Sequence, residues 1–105
     1  MKATRLVLAL AIIAIMLAPL AAVAADGAAV YKAKCATCHG PDGKGETAIG
    51  KSMKLRSLGS ADVQKGTDAA LTTIITDGKG KMPAYKGKLS ADEIKALVAY
   101  IRTLK

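Results

Sequence analysis

Five consecutive residues, Cys35-Ala36-Thr37-Cys38-His39, hold the only two cysteines and the only histidine of a 105-residue chain. Cys-x-x-Cys-His is the pattern that attaches a c-type haem. Two thiols add across the two vinyl groups of the porphyrin, and a two-residue spacer on a helical turn sets the sulfurs about as far apart as those vinyls. The residue that follows is an imidazole aimed at the iron. Cys35 and Cys38 are therefore the expected covalent anchors, and His39 an iron ligand.

Three other chemistries use parts of this pattern. A thioredoxin-like Cys-x-x-Cys expects a βαβ arrangement nearby, and none is visible. Structural zinc needs four ligands, whereas the chain has these three and no second cluster. A plain disulfide would suit an exported protein, but it would close a tiny loop and leave His39 without a purpose.

The elements that must position this motif occupy the last three quarters of the chain. Lys2 and Arg5 precede an uncharged run from Leu6 to Ala25, broken by Pro19 and ending in Ala22-Val23-Ala24-Ala25. A positive start, an apolar stretch and a small-residue end make a secretory signal peptide over residues 1–25, cut after Ala24 or Ala25. The competing expectation is an uncleaved membrane anchor, because the run is long enough to span a bilayer. Export, to a periplasm or an equivalent compartment, also suits the joining of thiols to haem.

Residues 26–105 then form one domain. Without Lys2 and Arg5 they carry 14 basic and 8 acidic side chains, a net +6, and contain no Trp and no Phe. So short a chain usually borrows a staple. A covalently held porphyrin would supply the missing bulk, since each ~100 Å² of apolar surface buried is worth roughly 2.5 kcal/mol.

Local signals along this domain are helical. Asp26 can cap a helix from Gly27 to about Cys38, so the motif ends a helix. Gly40-Pro41-Asp42-Gly43 is turn chemistry. Glu46 to Gly59 shows no clean period and reads as a loop whose Ile49, Met53, Leu55 and Leu58 would cover the haem. Ser60 to Val63 suggests a short helical turn. Leu71, Ile74 and Ile75 form one stripe on a helix from about Asp68 to Thr76, with Gly78 at its end. Met82, just ahead of Pro83, is biased to extended backbone. Ser90-Ala91-Asp92-Glu93 is a capping box with Leu89 and Ile94 as its staple, and the helix continues to about Leu104. Its apolar face is Ile94, Leu97, Val98, Ile101 and Leu104. No strand-like alternation competes with an all-α reading.

These segments together resemble the class I c-type cytochromes, the small soluble single-haem electron carriers, and in particular their bacterial and photosynthetic short forms. The resemblance rests on Gly27-Ala28-Ala29-Val30-Tyr31 three residues before the haem motif, on Lys81-Met82-Pro83-Ala84-Tyr85, and on Leu89 to Arg102. It implies a small cytochrome c fold, three to four helices wrapped around one covalently attached haem c, with Gly27 and Tyr31 packed against Leu97 and Tyr100. It also implies Met82 as the second iron ligand opposite His39, since Met1 and Met16 fall in the signal peptide and Met53 reads as a flexible gap filler. Tyr85 could reach a haem propionate or only water. Many family members have a proline whose carbonyl accepts the histidine Nδ1 proton. Here Pro41 is too close to His39, which leaves a carbonyl near Ile49 or Gly50 for that part.

Histidine and methionine would fill the iron's coordination, and the soft thioether would favour the reduced state. The implied activity is one-electron transfer without a substrate site, hence no enzyme. Lys44, Lys51, Lys54, Lys79, Lys81, Lys86 and Lys88 flank the two haem loops. They would face redox partners with acidic docking faces, or simply be solvated. Export and the lack of a recognition motif argue against nucleic acid. The expected form is a monomer, not inserted in a membrane once the signal is cut. Two rival readings are a haem-bearing subunit of a larger oxidoreductase and a ligand-binding or peroxidase-like protein with a labile Met82.

Overall fold

In the computed structural model the described residues are 25–105, so the expected signal peptide lies outside them apart from Ala25. Six helices follow in order: α1 Gly27–Lys34, α2 Ala36–His39, α3 Ala48–Met53, α4 Ala61–Gln64, α5 Asp68–Asp77 and α6 Ala91–Arg102. Among the described residues there is no strand, only two isolated bridges, Lys79 with Met82 and Lys86 with Leu89. The fold is all-α as expected. It has more helices than the three to four anticipated, because α2, α3 and α4 are four to six residues long and too short to show a period.

Every helix but α2 starts where a side chain can satisfy a free amide. Asp26 accepts from the Ala29 amide at 3.2 Å. Thr47, Ser60 and Thr67 do the same for α3, α4 and α5. At α6 the capping box closes in both directions, Glu93 N to Ser90 Oγ at 3.1 Å and Ser90 N to Glu93 Oε1 at 2.9 Å. Leu89 and Ile94 are both buried in the core, as a staple requires. The single helix expected from Gly27 to Cys38 is interrupted at Cys35, whose φ of −114° lies outside the helical range. The axis still carries through, since Cys35 N donates to the Tyr31 carbonyl at 2.8 Å and His39 N to that of Cys35 at 3.0 Å.

The segment after the haem motif is not a plain loop. Thr47 nucleates α3, which ends at Lys54 in the left-handed region with φ 55°. Of the residues expected to cover the haem, Ile49 is exposed and away from the cavity, whereas Met53, though exposed, and Leu55 line it. Leu58 does pack on the core.

The core is small: Tyr31 from α1, Ile75 from α5, Leu89, and Ile94, Leu97, Val98 and Ile101 from α6. Its centre is the crossing of α1 and α6. A Cβ at Gly27 would collide with the Ala96 carbonyl, so the two backbones touch there. One turn on, the Tyr31 and Tyr100 rings sit 5.0 Å apart at 50°. Tyr31 is not a purely apolar core residue, because its hydroxyl donates to the Gly40 carbonyl at 2.6 Å.

A second tie holds the far end of α6. Arg102 donates through Nη1 to the Gln64 carbonyl at 2.8 Å, through Nη2 to that of Gly66 at 2.6 Å, and to Asp68 Oδ1 at 2.8 Å. Gln64 Nε2 donates in turn to the carbonyls of Leu58 and Ile101. The last carbonyl of α4, one on the α4–α5 connection and the first residue of α5 are thus locked to α6 by one guanidinium.

Two outcomes follow from the crossing. Alanine is ordinarily the better helix former, yet Gly27→Ala should destabilise by about 2 kcal/mol through overpacking. A thermal melt of the haem-loaded protein should then fall by roughly 10 °C, and an unchanged midpoint would refute the close contact. Burial, then the charges of Cys35, Tyr100 and Asp42, push the Tyr31 hydroxyl up to about 12 from 10.0. Folding favours the protonated phenol, so its contribution is whole below pH 10 and is lost as pH rises through about 12. Wild type should exceed Tyr31→Phe by about 1 kcal/mol at neutral pH, the worth of one hydrogen bond. In denaturant titrations that margin should shrink only above pH 10, where the phenol begins to ionise.

Candidate haem site

The expected site residues converge. Cys35, Cys38, His39 and Met82 line one cavity of about 430 Å³, together with Met53 and Tyr85. A second space of about 480 Å³ shares Cys35, His39, Ile74, Lys79 and Met82 and is walled by core residues such as Leu71, Ile75 and Ile101. Sharing those five residues makes them two halves of one apolar space, with the motif on one side and Met82 on its border.

Helix α2 holds the motif, and the turn after it takes up each carbonyl at its end. Thr47 Oγ1 donates to the Cys38 carbonyl at 2.6 Å. The Gly45 amide donates to that of His39 at 2.7 Å. Tyr31 Oη and the Gly43 amide share that of Gly40. Close approach is possible because Gly50 has no side chain: a Cβ there would meet the Gly45 and Cys38 carbonyl oxygens.

Both cysteines are free and half-buried. Burial, then the neighbouring Cys38, push the Cys35 thiol up to about 11, so it is held as the neutral thiol. Burial likewise lowers the pKa of His39 and keeps the ring neutral, the form that binds a metal. His39 Nδ1 is buried with no hydrogen-bond partner. The carbonyl expected for it near Ile49 or Gly50 does not serve, because α3 directs its carbonyls along its own axis. Gly50 O instead accepts from the amides of Lys54 and Leu55.

Met82 sits in a tight turn closed from both sides, Met82 N to the Lys79 carbonyl at 3.0 Å and Lys79 N to the Met82 carbonyl at 3.2 Å. That turn folds onto Gly78, where a Cβ would lie 2.7 Å from the Met82 carbonyl oxygen. Beyond Pro83 the chain is tied to α5 by Tyr85 N to the Ile75 carbonyl and Lys86 N to that of Thr76. Tyr85 has a protein partner that its sequence context did not announce. Its hydroxyl donates to the Lys34 carbonyl at 3.0 Å, beside Cys35.

Of the seven flanking lysines, Lys54, Lys79 and Lys81 line the first space, joined by Lys34, and no carboxylate does. Lys44, Lys51, Lys86 and Lys88 do not, and Lys88 instead stands 5.9 Å over the Tyr85 ring. The second space has Arg56 and Asp62 at its wall, paired at 3.6 Å. Thr47 was the position most readily missed from sequence, although a threonine ahead of a helix-compatible run is an N-cap signal.

Two thiols, a neutral imidazole with one buried unpartnered nitrogen and a thioether around an apolar cavity fit a covalently attached haem. Among the described residues no group of His, Cys, Asp and Glu could hold a free metal ion. Comparison with known proteins agrees. The family described as cytochrome c oxidase, cbb3-type, subunit III matches residues 22–101. Cytochrome c6 of Microcystis aeruginosa is 40% identical over 78 residues, covering 72% of this chain and 90% of that protein. The cbb3-type cytochrome c oxidase subunit FixP of Azorhizobium caulinodans is 39% identical over 82 residues, which cover 77% of this chain but 27% of that protein. Among solved structures, the KustC0563 c-type cytochrome superposes with a TM-score of 0.71 at 36% identity, covering 76% of this chain and 98% of that one. The chain belongs to that family and is a small class I c-type cytochrome, whose cofactor is a covalently bound haem c.

Proposed function

We propose that this electron-transfer protein is an exported, freely diffusing carrier that passes one electron at a time through a haem c ligated by His39 and Met82. The observation that carries the reading is the convergence of both side chains with Cys35 and Cys38 on one apolar space. When bound, the haem supplies reversible one-electron chemistry at iron. The chain's own part is to hold two ligands of fixed type, to exclude water with Leu71, Ile74 and Ile75, and to leave no open coordination position. Met82 has little freedom to swing away, because its turn is closed on Gly78 and followed by Pro83. Rigid ligands keep reorganisation small, which favours transfer over ligand binding and counts against a peroxidase-like role.

In this reading residues 1–25 are a signal peptide removed after Ala24 or Ala25, and 26–105 are the working domain, a monomer in the periplasm or its equivalent. Among the described residues no helix is long and apolar enough to cross a membrane. A subunit of a larger oxidase is the second reading, supported by the family match and by FixP. The match takes in 90% of the cytochrome c6, which supports a carrier of that kind.

Partners are redox proteins, and their docking faces are acidic. What supports this is the group Lys34, Lys54, Lys79 and Lys81 at the first opening, without an ion pair among the described residues, against the Arg56–Asp62 pair at the second.

Met82→Ala should abolish the methionine-to-ferric-iron absorption band and let carbon monoxide bind the reduced protein, while Met53→Ala should leave both unchanged. Loss of the band in Met53→Ala alone would move the ligand to Met53. Docking is tested by salt. The second-order rate of electron transfer to an acidic redox partner should fall several-fold between low and physiological ionic strength, and a salt-independent rate would exclude electrostatic docking.

A further inference from the structure

His39 presents a problem of orientation. An imidazole at a metal is normally aimed by a hydrogen bond at its second nitrogen, and here Nδ1 is buried without any partner. The ring must be aimed from elsewhere, and the main chain on either side of it is unusually constrained. Successive carbonyls of Cys38, His39 and Gly40 each accept a bond from the following turn or from α1. Three of these donors, the Gly45 and Gly43 amides and the Tyr31 hydroxyl, act on the carbonyls of His39 and Gly40. Only one acts on the carbonyl of the peptide that joins Cys38 to His39, and that is the Thr47 hydroxyl at 2.6 Å.

Thr47 is half-buried and is itself held. While its proton goes to Cys38, its oxygen accepts from the Gly50 amide at 2.9 Å and so caps α3. Gly50 lets α3 come close enough for this, since any Cβ there would strike the Cys38 carbonyl. One hydroxyl thus uses both its donor and its acceptor capacity. It couples the peptide entering His39 to a helix that contributes Met53 to the wall of the same cavity.

We propose that Thr47 is the positioning residue for the axial imidazole, fixing the aim of His39 through the Cys38–His39 peptide in place of a bond at Nδ1. The proposal rests on His39 being an iron ligand. A plain structural role for Thr47, capping α3, is separable by chemistry. Serine can both donate and cap. An ionised aspartate caps at least as well as threonine but has no proton for the Cys38 carbonyl. Valine keeps the shape and does neither.

The experiment uses holoprotein matured with its haem and reads the haem-methyl resonances in the proton NMR spectrum of the ferric state. Their order and spread follow the orientations of both axial ligands, nuclear Overhauser contacts from the His39 ring protons to the haem isolate the imidazole plane, and melting is recorded in parallel. Thr47→Ser should keep the wild-type pattern. Thr47→Asp and Thr47→Val should both change the spread or double the set of resonances. If Thr47→Asp does not mature, Thr47→Val against Thr47→Ser decides on the same readout. Lower melting with an unchanged pattern in the variants lacking the donor overturns the proposal and leaves Thr47 a cap. A wild-type spectrum without an axial imidazole overturns the ligand assignment and this proposal together, whereas a wild-type imidazole with every variant unchanged overturns this proposal alone.

Discussion

The first and last helices meet at Gly27 so closely that the Ala96 main chain occupies the space a side chain would need, and most of the architecture is set from that contact. With α1 and α6 in touch there, Tyr31 is carried against Tyr100 and into the core beside Leu97. Its hydroxyl then falls on the Gly40 carbonyl, one residue past His39. A helix crossing is thereby converted into a position for the haem motif. At the other end of α6, Arg102 draws in the carbonyls of Gln64 and Gly66, so that α5 brings Ile74 and Ile75 over the cavity. Two ties on one helix place both walls of the site.

What was legible in the sequence was local. The haem motif, the Asp26 cap, Gly78 and the Ser90–Glu93 box all act within a few residues of themselves, so their types and spacing suffice. Helix α3 escaped because six residues cannot show a helical period, although Thr47 was there to announce it. The Arg102 cluster escaped for another reason: most of its acceptors are backbone carbonyls far away in the chain, and a carbonyl has no letter in the sequence. The same holds for Tyr85, whose acceptor on Lys34 depends on the whole chain having closed. An unpartnered His39 Nδ1 could not be foreseen at all, because it results from α3 using its own carbonyls.

The two openings of the cavity differ in charge: four lysines line the first, whereas the second has Arg56, Lys79 and one carboxylate, Asp62. Asp62 lies within 3.6 Å of Arg56 and 3.4 Å of Lys65, neutralising cations near the second space. These are exposed pairs that contribute little to stability. Their effect is on the field, leaving the lysines around the first opening as the stronger positive region.

The bond from Tyr85 to the Lys34 carbonyl has a bearing on assembly. It lays the segment after Met82 across the residue preceding Cys35, while Thr47 closes on Cys38 from the other flank. In the finished fold both thiols are half-buried between these two covers. Thioether formation needs each sulfur to be reached by a flat, bulky reactant, and that is easiest before either cover has docked. The order of least resistance is attachment on an open chain, then closure of the α3 segment and of the Met82–Tyr85 loop. Folding would in this way act as a latch on a bond already made.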